Sequence, residues 1–306
     1  MFKISGFYDE ASSDLGEQLA VMKSLGGKYL CPRGINGRNI SSFTADEFGR
    51  DVLPVLKSEG VKLSSIGSPI GKIPLYDDAA YEKQVKQLKE LAAIAALADC
   101  KYIRCFSFFI GKNADYDKAY PTVVEKFKGF ADAVEDSGVT LLHENEKKIF
   151  GDVPERALAV FNGVNRSNVK LCYDASNYIQ CGVDARTAYE ATKEFTVYYH
   201  MKDCADGVEV PLGTGQGAIR ELIADLVRRD YDGFLTLEPH TFKYAFLKRP
   251  LYLLPFLWGT KLARVYRRVD KDMGVKPFES VSRVRTFEWQ YKNLVRIIGE
   301  AGGEYE

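Results

Sequence analysis

The sequence predicts a (β/α)₈ TIM barrel, an α/β fold in a single domain over residues 1–306. Three observations predict it. Short apolar runs alternate with longer amphipathic ones eight times along the chain. The short runs are near-continuously apolar, as parallel strands covered by helices on the outside are. No Gly-rich phosphate fingerprint follows the first strand, where an open nucleotide-binding sheet places one.

The strands are expected at 2–8, 28–33, 61–67, 101–108, 139–144, 169–174, 195–202 and 233–238. Each is followed by a helix, at 13–25, 44–59, 78–98, 115–136, 152–162, 184–193, 217–229 and 285–299. Gly60 closes the second helix, and Pro154 sits in the first turn of the fifth, where its missing N–H costs nothing. No hairpin pattern interrupts the alternation. One stretch falls outside it, an insertion at about 242–284 between the eighth strand and the last helix. The span 243–285 carries eleven Lys/Arg against Asp270, Asp272 and Glu279, an excess of eight, and is rich in leucine and aromatics. It reads as a helical hairpin whose Leu251, Leu254, Phe256 and Trp258 pack on the barrel or on a second subunit, since an apolar stretch left bare is an aggregation hazard. A lid over the site and a membrane-surface element are the alternatives.

Composition narrows the function. Hydrophobic residues make up 46% of the chain, enough for one large core. Formal net charge is zero, which argues against a nucleic-acid partner, since phosphate contacts need a basic footprint. No uncharged run approaches the ~20 residues of a membrane span, so no membrane partner is expected. The N-terminus meets an acidic pair before any signal-like apolar core develops. Six cysteines are scattered without a C-x-x-C, as reduced thiols of a cytoplasmic protein are.

In such a barrel every strand ends, at its C-terminal edge, on the face that holds the active site. Strands five to eight end in "LLHEN", "LCYDASN", "VYYHMKD" and "LTLEPH". Each supplies a metal-competent group at that edge: Glu144, Asp174, His200 and Glu238. Glu146 competes with Glu144 for the fifth position, but Glu144 lies nearer the end of the apolar run. Three carboxylates and an imidazole at one rim repel or stay unsatisfied unless a cation sits among them. Oxygen-rich ligation with one nitrogen suits one divalent ion, Mn²⁺, Mg²⁺, Co²⁺ or Fe²⁺, with Zn²⁺ possible.

The motifs resemble those of the xylose isomerase-like superfamily of sugar (phosphate) isomerases and epimerases. "HEN" at 143–145, "YDASN" at 173–177, "HMKD" at 200–203, "PLGTGQGAI" at 211–219 and "GFLTLEPH" at 233–240 occur in that family's order. The resemblance covers residues 1–241 and the last helix. It implies a divalent metal on Glu144, Asp174, His200 and Glu238. It also implies proton transfer through an enediolate, with Glu144 and Glu238 as the catalytic pair and a small sugar or sugar phosphate as substrate. A metal-dependent dehydratase of an inosose-like keto-polyol and a non-catalytic sugar-binding barrel are the alternatives. A DNA-repair endonuclease on this fold needs many more histidines than His143, His200 and His240. Two positions depart from the ketose epimerase pattern: Asn177 replaces a histidine, and Pro32 precedes Arg33 where a glutamate is usual. A homo-oligomer is a further expectation.

Other rim groups complete the expected site. Lys72 is placed to hold a sugar oxygen or a phosphate, unless it is a solvated lysine in a turn. Arg104, within the fourth strand, needs an acceptor, in substrate or in a neighbouring strand; Arg33 reads the same way. Asn177, Lys202 and Asp203 are expected to contact substrate or to orient the metal ligands. His240 is read as a rim residue with a fifth ligand as its alternative. The amides of "GTGQG" at 213–217 suit a phosphate or a structural turn.

Overall fold

The computed structural model describes residues 1–111 and 113–306. Seven strands form one parallel sheet in the spatial order first, eighth, seventh, sixth, fifth, fourth, third: Lys3–Gly6, Phe234–Leu237, Thr196–Met201, Val169–Asp174, Thr140–Glu144, Tyr102–Cys105 and Ile66–Ile70. The second strand is only Tyr29–Leu30 and pairs in parallel with Lys62–Leu63, the front of the third. Single bonds complete the closure. The Cys31 N–H donates to the Gly6 carbonyl at 3.1 Å, and the Gly67 N–H to the Pro32 carbonyl at 2.9 Å. Pro32 has no N–H to offer, so a regular ladder cannot run through this strand.

The outer helices begin where short polar side chains cap them. Asp14, Asp77, Asp115, Asp184 and Ser282 each accept the amide three residues on. Thr44 and Glu47 form a reciprocal capping box. The expected second helix divides into Ala45–Asp51 and Leu53–Ser58, because Pro54 starts a new first turn.

Strand alternation then sorts the side chains into two layers. Ile103, Leu141, Tyr173, Tyr199 and Leu235 point outward into the main core against the helices. Leu142, Cys172 and Tyr198 form a separate cluster inside the barrel. Beneath the rim, Tyr198 donates to Ser64 Oγ at 2.9 Å and accepts from Thr236 at 2.5 Å, while Ser5 and Ser64 share a bond of 2.6 Å. This hydrogen-bonded polar layer is the floor of the site.

Two hairpins stand on the rim that the alternation reading did not foresee: Gly34–Ile35 with Arg38–Asn39, and Asp203–Ala205 with Val208–Val210. Their turns are Asn36–Gly37 and Asp206–Gly207, all four residues at positive φ, as the tight primed turns require.

The insertion is helical, Phe242–Leu253 and Lys261–Met273, and joins a small core of its own with Val210, Tyr244, Leu251, Tyr266 and Val269. Buried Lys248 and Asp270 pair at 3.0 Å, and Tyr244 and Tyr252 donate to the same carboxylate. Leu251 is buried as expected. Leu254, Phe256 and Trp258 do not pack on the barrel: they are 40%, 77% and 49% exposed, because they lie in the turn that joins the two helices.

Candidate metal centre and active site

One donor atom from each of Glu144, Asp174, His200 and Glu238 lies within 4.8 Å of all the others, and all four residues are buried. Register explains the convergence. His200 pairs directly with Asp174 on one side and Thr236 on the other. Asp174 and His200 therefore project inward at one height, Glu238 lies one inward position beyond Thr236, and Glu144, level with Cys172, reaches up from one strand further round. Alternation turns His143 outward onto Phe127, with ring centroids 5.3 Å apart.

The donor atoms fit a cation. Asp174 Oδ2, His200 Nδ1 and Glu238 Oε2 are buried and face one another, with Lys202 Nζ 2.8 Å from Asp174 Oδ2 and His200 Nδ1 3.1 Å from Glu238 Oε2. Asp174 is held by its other oxygen, which accepts the Asn177 amide at 2.9 Å and caps the short helix Ala175–Gln180. Its own backbone is clamped by Asn145, which accepts the Asp174 N–H and donates to the Asp174 carbonyl, each at 2.9 Å. The cluster's chemistry, three carboxylates and one imidazole, is that of an oxygen-preferring divalent ion.

Basic side chains brace the carboxylates. One Nη of Arg104 donates to Glu144 Oε2 and Glu238 Oε1, both at 3.1 Å. The rest of its fork is fixed by the Ser68 and Gly67 carbonyls at 3.3 and 3.2 Å. Of the two acceptors the sequence left open, the structure gives Arg104 the neighbouring strands. Lys202 Nζ is 2.8 Å from Asp174 Oδ2 and 3.7 Å from Glu238 Oε2. Asn177 donates to Glu144 Oε1 at 3.1 Å. Arg33 makes a bidentate pair with Asp9 at 2.8 and 3.1 Å and donates to Glu238 Oε1 at 3.1 Å.

These charges set the titration of the site. Burial alone would raise Glu144 and Glu238, but both are held below the usual carboxylate range, Glu144 by His200 and Arg104, Glu238 by Lys202, Arg104 and His200. At Asp174 burial prevails over Lys202, and the carboxyl is pushed up to about 6. Burial would lower His200, yet Cys172, Glu144 and Glu238 raise it well above its ordinary value. A proton on His200 and a cation at its Nδ1 are alternatives, because the same two carboxylates attract either.

The remaining expected residues lie round this centre. Lys72 covers the Phe106 ring at 4.1 Å and pairs with Glu146 at 3.0 Å. Glu146 therefore stands at the mouth, outside the ligand cluster. Asp203, expected as a substrate or orienting group, faces the 211–217 loop. Its carboxylate accepts the amides of Cys204, Gly213, Gly215 and Gly217 at 2.8–3.0 Å. A Cβ at Gly215 would meet Asp203 Oδ1 at 2.3 Å, which is why glycine is needed there. His240, at φ +52°, has its ring nitrogens 3.7–3.8 Å from Glu10, Glu209 and Glu238, and it lies outside the group of four metal-competent residues.

Glu10 was missed. It sits in a single 3₁₀ turn, Tyr8–Glu10, directly after the first strand, is 2% exposed, and has no hydrogen-bond partner on either oxygen among the described residues. Burial pushes its carboxyl up to about 7 against the pull of His240 and Arg33. The rule that placed the four metal-competent residues, that strand ends share one face, applies equally to "FYDE" after the first strand.

The fold and site define a class: a barrel with a buried carboxylate–histidine centre at the C-terminal ends of its strands. The chain belongs to the xylose isomerase-like TIM barrel family, whose model matches residues 21–252. Comparison with curated proteins gave no match. Among solved structures, the IOLI protein with a bound zinc atom is similar at 15% identity and a TM-score of 0.71, over 98% of this chain and 99% of that one. D-psicose 3-epimerase, crystallised in the presence of D-fructose, is similar at 17% identity and a TM-score of 0.68, over 99% and 100%. A xylose isomerase-like TIM barrel protein from Mycobacterium smegmatis in complex with magnesium is similar at 15% identity and a TM-score of 0.66, over 98% and 97%.

Proposed function

We propose that this protein is a divalent-metal-dependent isomerase or epimerase of a hydroxy-carbonyl sugar, with Glu144 and Glu238 as its proton-transfer pair. The observation that carries the reading is the convergence of Glu144, Asp174, His200 and Glu238 within 4.8 Å, with all four residues buried. Family membership and the epimerase among the similar structures support it. When bound, a divalent ion supplies Lewis-acid polarisation of the carbonyl next to the transferred proton.

The chain's own residues do the rest. Glu144 and Glu238 come from strands separated by two others, so they flank the centre and address different faces of a substrate between them. Each is held ionised, as a base must be, and each is braced by Arg104, with Asn177 fixing the second oxygen of Glu144, so that both carboxylates keep a fixed aim. One carboxylate removes the proton beside the carbonyl; the other returns a proton to the opposite face or the adjacent carbon. Lys202 holds Asp174, Asn177 holds Glu144, and Lys72 holds Glu146 at the mouth, so these three donors line the space a substrate would enter. Asp203 keeps the 211–217 loop folded beside Lys202.

Titration of chelator-treated protein with Mn²⁺ in a calorimeter tests this reading. Wild type should bind one ion per chain, and Asp174→Ala should bind much more weakly. Glu144→Gln and Glu238→Gln should keep measurable binding and lose turnover by about 10²–10⁴, the usual loss for a general base. Undiminished binding by Asp174→Ala, or near wild-type turnover by both Gln variants, would reject it.

A further inference from the structure

We infer that the substrate is an uncharged polyhydroxy carbonyl compound, a free sugar or keto-polyol and not its phosphate, and that Glu10 receives one of its hydroxyls; this rests on the isomerase reading above. A phosphate needs unspent cations or free amides. Each basic side chain that reaches the centre already ends on a carboxylate: Arg33 on Asp9 and Glu238, Lys72 on Glu146, Arg104 on Glu144 and Glu238, Lys202 on Asp174. The Gly-rich loop before the helix Ile219–Arg228 has the composition of an anion cradle. Its Gly213, Gly215 and Gly217 amides are taken by Asp203, an anion the chain supplies itself.

Charge counts the same way. Six carboxylates, Asp9, Glu10, Glu144, Glu146, Asp174 and Glu238, face the four cations just named. With Glu10 ionised, one divalent ion makes that set neutral, and His240 and Glu209 beside it, 3.8 Å apart, offset each other. A neutral substrate leaves it so, whereas a phosphate dianion leaves about two uncompensated negative charges in a buried site, where they cost most.

Glu10 supplies the positive half of the argument. A carboxylate buried on all sides with neither oxygen bonded destabilises a fold by its lost hydration. It lies 3.6 Å from the Arg33 guanidinium and 3.7 Å from His240 Nε2, both of which also approach Glu238. So it stands beside the Glu238 flank of the centre, where the far end of a bound chain would lie. A sugar hydroxyl gives it the donor it lacks. A phosphate dianion, the main form at neutral pH, has no proton to give and does not.

The test is kcat/KM of Mn²⁺-loaded enzyme on free ketoses, aldoses and keto-polyols and on their monophosphates, followed by deuterium uptake from D₂O. The free compounds should be preferred by at least about 10²-fold. Glu10→Leu should raise KM about 10- to 100-fold with kcat changed far less, as loss of a charge-assisted hydrogen bond does. Glu10→Gln should recover part of that loss, since it keeps an acceptor. Both variants should unfold at or above the wild-type temperature, because a purely structural role would move stability the other way. Preference for the phosphates, or an unchanged KM in Glu10→Leu, would overturn this inference and leave the isomerase reading standing. No exchange on any compound would overturn the isomerase reading itself, and this inference with it.

Discussion

Replacing Arg104 by Met tests how the centre is held together. The side chain is 4% exposed and makes four donor contacts, two to Glu144 and Glu238 and two to strand carbonyls. Methionine keeps much of the volume and removes the charge. Glu144 is then left buried with His200 as its nearest cation, and Glu238 with Arg33 and His200. Removing one partner of a buried ion pair costs about 3–5 kcal/mol, because the stranded charge keeps its desolvation penalty. At about 2–4 °C per kcal/mol for a large domain, that lowers the unfolding temperature by on the order of 10 °C. A divalent ion at the centre replaces the lost charge, so the deficit should shrink when Mn²⁺ is added. Thermal unfolding of wild type and Arg104→Met, each in chelator and in Mn²⁺, measures both effects. A variant within about 2 °C of wild type in chelator, or one whose deficit ignores the ion, would refute the view that Arg104 is the counter-charge of the glutamate pair.

Three other outcomes follow from the same structure. Glu10 has a folded pKa of about 7, raised by burial above the ordinary carboxyl value of 4.5, so the folded state holds its proton longer than the unfolded state does. Its contribution is most favourable below pH ~4.5 and is lost as pH rises to ~7, by about 3 kcal/mol; denaturant midpoints of wild type against Glu10→Gln across that window should converge at low pH and diverge at high pH. Asp203→Ala removes the acceptor of four amides and should speed hydrogen exchange at Cys204, Gly213, Gly215 and Gly217, while the four metal-competent residues stay in place. The helical hairpin holds seven large exposed apolar residues, Phe246, Leu247, Leu253, Leu254, Phe256, Trp258 and Phe278. Wild type should self-associate through it, so Leu253→Ser with Phe256→Ser and Trp258→Ser should lower the mass seen in sedimentation; an unchanged mass would show that this surface is not the contact.

The strand ends were legible because alternation and the barrel's geometry leave little freedom. Once the apolar run 139–142 faces its neighbours, Glu144 must point inward and His143 outward, and Glu146 falls beyond the last rung. The same reasoning placed Asp174, His200 and Glu238. Partners that depend on reach were not legible. Nothing in "KYIRCFSF" says that Arg104 will span from the fourth strand to glutamates on the fifth and eighth. Asp203 was read with its neighbour Lys202, yet its four partners include three glycines ten to fourteen residues on, a contact made by loop folding. The two rim hairpins are a different case. "NG" at 36–37 and "DG" at 206–207 are strong turn signals, and they were outweighed by the eightfold strand–helix rhythm. Leu254, Phe256 and Trp258 have the composition of a packed core and the position of a hairpin turn, and position prevailed.

The central claim is that the buried carboxylate–histidine centre moves a proton on a sugar carbonyl and needs a divalent ion to do so. Incubating the enzyme with free ketoses and aldoses in D₂O, once loaded with Mn²⁺ and once stripped by chelator, tests it in a single spectrum. The account predicts carbon-bound deuterium next to the carbonyl of at least one sugar with the loaded enzyme, none with the stripped enzyme, and its return when the ion is restored. Deuterium uptake that persists undiminished in chelator, or no uptake by a loaded enzyme shown to bind one ion per chain, would contradict it.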